Sequence, residues 1–294
     1  MDTPLYTASV NLPGIACTAA SPVEAVYSGE ETVLGFYLTF RVAGVLATDA
    51  EVGTDVTSIS LRDGDAEIFK TLTPVELRAV YDQTHSRYGA AAADLGILRY
   101  VALPDEVELA IMRAHYGLGR KSDDGLGVSK LKIEVQWAAG PLTITSCIPT
   151  IIFDPTEKLA FLGRHQRIVV LPSTHVGATM QTMQNVFQDK HMVGLRKMWF
   201  DISTGVIGDI TVKQGLESRF SAIPLPAILG EMHRAGQVAV AAVVTLNFDS
   251  QTSPSSQLGL IGKAPVEMNV NWTTNPAGPL RHICFGEYQG HEAV

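Results

Sequence analysis

Few groupings of side chains in these 294 residues have the types and spacing that chemistry needs. Gly117-Leu-Gly-Arg-Lys-Ser122 superficially resembles a phosphate-cradling loop. It lacks that motif's four-residue spacing and Gly-Lys pair, and it runs into Asp123 and Asp124, so it reads as a surface loop. His165, His175, His191 and His233 could meet in space, but eight dispersed histidines fit solvent-facing or hydrogen-bonded core positions better. Asp63 and Asp65 flank Gly64. A carboxylate pair can drive hydrolysis, yet turn chemistry accounts for both acids. There is no Gly-x-Ser-x-Gly elbow and no His-Glu-x-x-His pair. Asn271-Trp-Thr273 is a formal glycosylation sequon at a strand end. Trp137 and Trp272 could stack on a sugar, but their place in an alternating pattern assigns them to a core. The expectation is a chain that is not an enzyme, with no catalytic, cofactor-binding or metal-ligating residue.

The cysteines support the same view. Cys17, Cys147 and Cys284 are far apart and form no CxxC or Cys/His cluster, which argues against a disulfide framework or a zinc site. They read as small buried hydrophobes. Hydrophobic residues make up 46% of the chain and mean hydropathy is +0.15, ample for a large core. Charged residues make up 18%, below the roughly 25% of ordinary soluble proteins, as a surface covered by partners would be. A net charge of −8 opposes direct binding to nucleic acid. No apolar run approaches the roughly 20 residues of a membrane-spanning helix. The opening residues lack a basic-then-apolar leader, which points to synthesis and retention in a cytoplasm.

The elements that would hold these residues are mostly strands. Val33 to Val42 is rich in aromatic and β-branched residues. Ile59-Ser-Leu61 leads into the Asp63-Gly64-Asp65 turn, a hairpin signature. Leu131, Ile133, Val135 and Trp137 alternate with polar residues, and Val266 to Trp272 repeats the pattern. Val238 to Phe248 is a further β-rich run. Two or three short helices are expected. Thr73-Pro74-Val75-Glu76 is a capping box, followed by Leu77, Val80 and Tyr81 on one face. Pro104 to Arg113 opens in a similar way with acids in its first turn. Met180 to Val186 suits an exposed loop or short helix at a subunit contact, or local packing.

Sliding the chain over itself reveals a duplication. At an offset of 151, Ile59 meets Ile210, Leu61 meets Val212, Gly64 meets Gly215, Phe69 meets Phe220, Leu72 meets Ile223 and Leu77 meets Ile228. Downstream, Leu131, Ile133, Val135 and Trp137 meet Val266, Met268, Val270 and Trp272 at 135. Gly140-Pro-Leu142 then meets Gly278-Pro-Leu280, and Cys147 meets Cys284. The offset shrinks because the first copy holds extra residues between 88 and 119. The second copy has Pro224 and Pro226 where the first has Thr73 and Val75, so its helix is expected to start later without a capping box. The copies divide near Ile148 to Pro155, giving residues 1–153 and 154–294. Units of this size, with short strands and long variable connections, suit all-β, eight-stranded jelly rolls over up-and-down barrels or immunoglobulin-like domains.

Two tandem jelly rolls with a helix after the second hairpin strand resemble the double jelly-roll major capsid proteins of tailless, membrane-containing icosahedral bacteriophages, the corticovirus-like and tectivirus-like lineage. Thr57 to Phe69 with the Thr73 helix, Leu131 to Trp137, and their counterparts Asp209 to Phe220 and Val266 to Trp272 carry the resemblance. It implies a homotrimer of pseudo-hexagonal outline that meets neighbouring capsomers, other virion proteins and an underlying viral membrane. It also implies location in the virion and no catalytic residue. Some members bind calcium, but no EF-hand-like loop is present here and no site can be assigned. The rival expectations are a carbohydrate-binding jelly-roll module, or a minor vertex or spike protein of the same virion.

Overall fold

Apolar residues at every second position make strands that bury one face, and among the described residues nine strands of the first unit build two sheets. The computed structural model describes residues 8–29, 31–63, 66–78, 96–101, 130–154, 164–173, 180–183, 192–234, 243–248, 258–259 and 264–289. The expected helix at 104–113, the loop at 117–122, the extra residues at 88–119, and His175, His191, Val80 and Tyr81 lie outside them. The chain forms two compact units, Met1–Gln166 with Gly290–Val294, and Arg167–Gln289.

In the first unit the order is β1 (Ala8–Asn11), β2 (Pro22–Tyr27), β3 (Thr32–Val42), β4 (Val45–Leu46), α1 (Asp49–Asp55), β5 (Val56–Asp63), β6 (Ala66–Leu72), β7 (Ile97–Val101), β8 (Leu131–Trp137) and β9 (Ser146–Asp154). One sheet runs β1-β9-β3, with β7 and the short β4 both on the far side of β3. The other runs β2-β8-β5-β6. All the pairings are antiparallel. The residues around Ile148 and Pro149 lie within β9, paired to β3.

The second unit repeats this plan. It contains β10 (Arg164–Ser173), β11 (Met180–Met183), β12 (Met192–Asp201), β13 (Val206–Gln214), β14 (Glu217–Pro224), α2 (Leu225–Arg234), β15 (Val243–Asn247), β16 (Leu258–Gly259), β17 (Val266–Thr274) and β18 (Leu280–Gln289). Its sheets are β10-β18-β12-β15, with β16 beside β12, and β11-β17-β13-β14. Replacing β1, β9, β3 and β7 by β10, β18, β12 and β15 maps one sheet onto the other. In each unit the chain crosses repeatedly between the two sheets and stays in one only at the β3–β4, β5–β6, β13–β14 and β15–β16 steps, which is jelly-roll rather than up-and-down topology.

Register agrees with the sequence offsets. Ile59 faces Leu72 and Val135, and Leu61 faces Phe69 and Ile133. In the second unit Ile210 faces Ile223 and Val270, and Val212 faces Phe220 and Met268. Even an irregularity recurs. Thr71 (φ 56°) and Ala222 (φ 47°) are both left-handed, an uncommon conformation for residues with a side chain. The Thr71 N–H donates to Ser60 Oγ at 3.1 Å, and the Ala222 N–H donates to Thr211 Oγ1 at 3.0 Å. In each unit, then, a hydroxyl on the neighbouring strand holds the kinked residue. Removing it is expected to cost about 1 kcal/mol in Ser60→Ala, where the serine is buried. Thr211→Val should cost about half as much, because Thr211 is only partly buried and water can replace its bond to the Ala222 N–H. Urea unfolding of both variants measures this, and equal costs would contradict the burial difference.

The cores follow the alternation. Leu131, Ile133, Val135 and Trp137 are buried, as are Val266, Met268, Val270 and Trp272. Phe40 meets Trp137 edge-on at 6.2 Å between ring centroids, and Phe200 meets Trp272 at 6.1 Å. The Thr73 capping box is formed: the Thr73 N–H donates to Glu76 Oε2 at 2.8 Å and the Glu76 N–H donates to Thr73 Oγ1 at 3.2 Å. A second box, Thr48 with Glu51, starts α1.

Two expectations need correction. The second-copy helix does not start later: α2 begins at Leu225, which is 151 residues after the first helical residue, Pro74. Pro226 is tolerated because first-turn N–H groups have no intrahelical acceptor to lose. Met180–Met183 is neither loop nor helix but strand β11, paired to β17, with Met180 exposed and Met183 against the core. Residues 184–186 lie outside the described set.

Candidate assembly surface

Residues with chemical potential are dispersed or used in folding. Trp137 and Trp272 are 1% and 2% exposed, so neither offers a ring to a sugar. Trp272 Nε1 donates to Gln181 Oε1 at 3.3 Å, and Gln181 Nε2 in turn donates to Ser173 Oγ. Cys147 and Cys284 are buried free thiols, and burial pushes both well above the usual thiol range. Cys17 departs from the expectation of full burial: it is only partly covered, because the segment before β2 runs along the surface. His233 is exposed on α2, and His165 belongs to β10. Gly64 and Asp65 lie outside the described residues, while Asp63 ends β5 opposite Ala66 in the hairpin. Asn271 is exposed on β17 and its Nδ2 donates to Asp209 Oδ2 at 3.0 Å. Among the described residues, no group of three His, Cys, Asp or Glu could hold a metal ion.

Two polar side chains missed in the sequence are buried deeply. Asp55, 2% exposed at the end of α1, accepts the N–H groups of Thr143 at 2.6 Å and Ile144 at 2.7 Å through Oδ2. Its backbone carbonyl accepts from Ala138 at 2.8 Å. One residue thus fastens both ends of the connection from β8 to β9, where Gly140 takes φ 112°. His282, 0% exposed on β18, lies almost parallel to Phe200 at 3.9 Å, and its Nδ1 accepts the Asp201 N–H at 3.3 Å. Burial lowers its pKa to about 4, and the nearby Asp201 charge opposes that only in part. The signal for His282 was its position two residues from both Leu280 and Cys284 in an alternating run. The signal for Asp55 was weaker, an acid just before a strand.

What remains outward is sheet surface. On the β2-β8-β5-β6 sheet the outer rows read Val26, Lys132, Arg62, Glu67 and then Glu24, Glu134. Lys132 reaches Glu24 at 4.0 Å. The matching sheet of the second unit carries a less charged ladder, with Thr182 Oγ1 donating to Asn269 Oδ1 at 2.7 Å and Asn269 Nδ2 to Glu267 Oε1 at 2.9 Å. These outer faces and their edge strands make up the candidate assembly surface.

This architecture defines a double jelly-roll protein. No protein-family model matches the chain, and no curated protein matches it significantly. Solved structures do. The major capsid protein P2 of bacteriophage PM2 is similar over 98% of this chain and 99% of its own, with a TM-score of 0.76 at 9% identity. The STIV major capsid protein is similar over 96% of each chain, with a TM-score of 0.68 at 11% identity. A PBCV-1 virus capsid chain covers 96% of this chain and 93% of its own, with a TM-score of 0.67 at 11% identity. The fold is that of these viral double jelly-roll proteins.

Proposed function

We propose that this chain is a viral major capsid protein whose copies associate into a shell. The observation that carries this reading is the agreement in fold, end to end, with major capsid proteins, including the tandem order of two alike units. A first barrel at 1–153 and a second at 154–294 give three chains six similar barrels, enough for a pseudo-hexagonal capsomer under threefold symmetry. Neighbouring capsomers, other virion proteins and a membrane beneath the shell are the partners this reading implies. It places the protein in the virion, after synthesis in the host cytoplasm, with no catalytic role.

Light scattering on the purified protein tests the reading. The expected mass is about three times 31.6 kDa, with hexagonal outlines in electron micrographs. A monodisperse monomer at high concentration would sink it.

A further inference from the structure

In each unit an aspartate fastens the connection between the last two strands, but the slot beside it is filled differently. In the first unit Asp55 Oδ2 accepts the Thr143 N–H at 2.6 Å and the Ile144 N–H at 2.7 Å. In the second, Asp201 Oδ2 accepts the Arg281 N–H at 3.3 Å. The 138-residue offset between Gly140 and Gly278 makes Arg281 the counterpart of Thr143, and His282 the counterpart of Ile144. Ile144 and His282 are both buried. One barrel thus fills this slot with a group that cannot titrate, the other with one that can.

His282 supports more than its own strand. Its ring lies on Phe200, and Phe200 in turn meets Trp272. Because Nδ1 accepts the Asp201 N–H, the neutral ring carries its proton on Nε2, which is buried with no hydrogen-bond partner among the described residues. Asp201 also holds the turn that follows it, its Oδ1 accepting the Ser203 N–H at 2.8 Å. Gly205 packs the same turn against Trp272 and Pro276: a Cβ there would come within 2.9 Å of the one and 3.1 Å of the other. The turn at 202–205 and the connection at 275–279 therefore converge on Asp201, whose amide depends on a neutral His282. A proton added at Nδ1 would point at the Asp201 N–H, and neither ring nitrogen would then have an acceptor in the slot. The Asp201 carboxylate is the charged group whose field reaches the ring, and its oxygens already accept two backbone N–H groups. Arg281, next on β18, is exposed. The opposite sheet presents apolar side chains, and residues 168–173 of β10 carry no charge.

We propose that His282 is an acid-operated latch: when it takes up a proton, the 202–205 turn and the 275–282 connection open together, baring Phe200 and Trp272 at one end of the second unit while both barrels stay folded. Hydrogen exchange on the full chain at pH 7 and pH 5, corrected for the intrinsic rate of each amide, tests this. With a value of about 4 in the closed slot and 6.5 when released, the open population rises about twentyfold between these two pH values. Protection in 200–205 and 275–282 is expected to fall about tenfold or more. Protection in 207–212, in 266–270 and in the first unit's 138–147 should not change. Unchanged protection at 200–205 and 275–282, or a fall of equal size throughout the second unit, would overturn the proposal. His282→Asn keeps an acceptor for the Asp201 N–H and should abolish the response, so a variant that retained it would equally overturn the proposal. If that variant fails to fold, the wild-type pattern still decides.

Discussion

Trp272→Ala and Trp137→Ala are each expected to lower stability by about 3–5 kcal/mol, measured by urea unfolding, because each leaves a cavity in a filled core. The two sites should separate when the ring is only trimmed. Trp272 Nε1 donates to Gln181, so Trp272→Phe strands a half-buried amide oxygen. Trp137 Nε1 is buried without a hydrogen-bond partner among the described residues, so Trp137→Phe discards a group that was already costly to bury. Trp272→Phe should therefore be the more damaging of the two. Wild-type stability in both alanine variants would refute the core assignment.

Acid should weaken the second unit through His282. Its folded pKa of about 4 lies below the ordinary histidine value of 6.5, so the unfolded chain binds the proton more tightly. The stabilisation is complete above about pH 6.5, falls as pH drops through that value, and levels off below pH 4. By pH 4 the loss amounts to about 3 kcal/mol. His282→Asn can still accept the Asp201 N–H but cannot titrate in this range. Carboxylates titrate in both proteins, so the diagnostic quantity is the difference in slope between pH 6.5 and 4. The wild type should lose about 3 kcal/mol more than the variant over this interval. Identical slopes would show that His282 is not held neutral by its surroundings.

The duplication was legible because strands with one buried face impose period-two patterns, and a large residue such as Trp137 or Phe69 cannot leave its register without opening a hole. Paired residues at offsets of 151 and 135 accordingly occupy matching ladder positions. Less legible were features that depend on contacts distant in sequence. Asp55 receives its partners from residues 143 and 144, and nothing local marks an acid for burial. His282 occupies an apolar slot of β18, and sequence pattern does not distinguish a histidine packed there from one that faces solvent. Met180–Met183 is too short for periodicity to distinguish strand from loop, and pairing with β17 decided it. The partial exposure of Phe220 and Ile223 was invisible for a different reason. Phe220 and Ile223 match Phe69 and Leu72 in type, and only the fold reveals their different exposure.

The paired left-handed residues also show what the barrel plan demands of its side chains. Thr71 and Ala222 share a backbone state but not an amino acid, and their hydroxyl partners, Ser60 and Thr211, differ too. The plan therefore asks for a short side chain at the kink and a hydroxyl opposite it, not for one particular residue at either place. Serine and threonine are interchangeable in that role because either presents one acceptor oxygen at the same distance from the backbone.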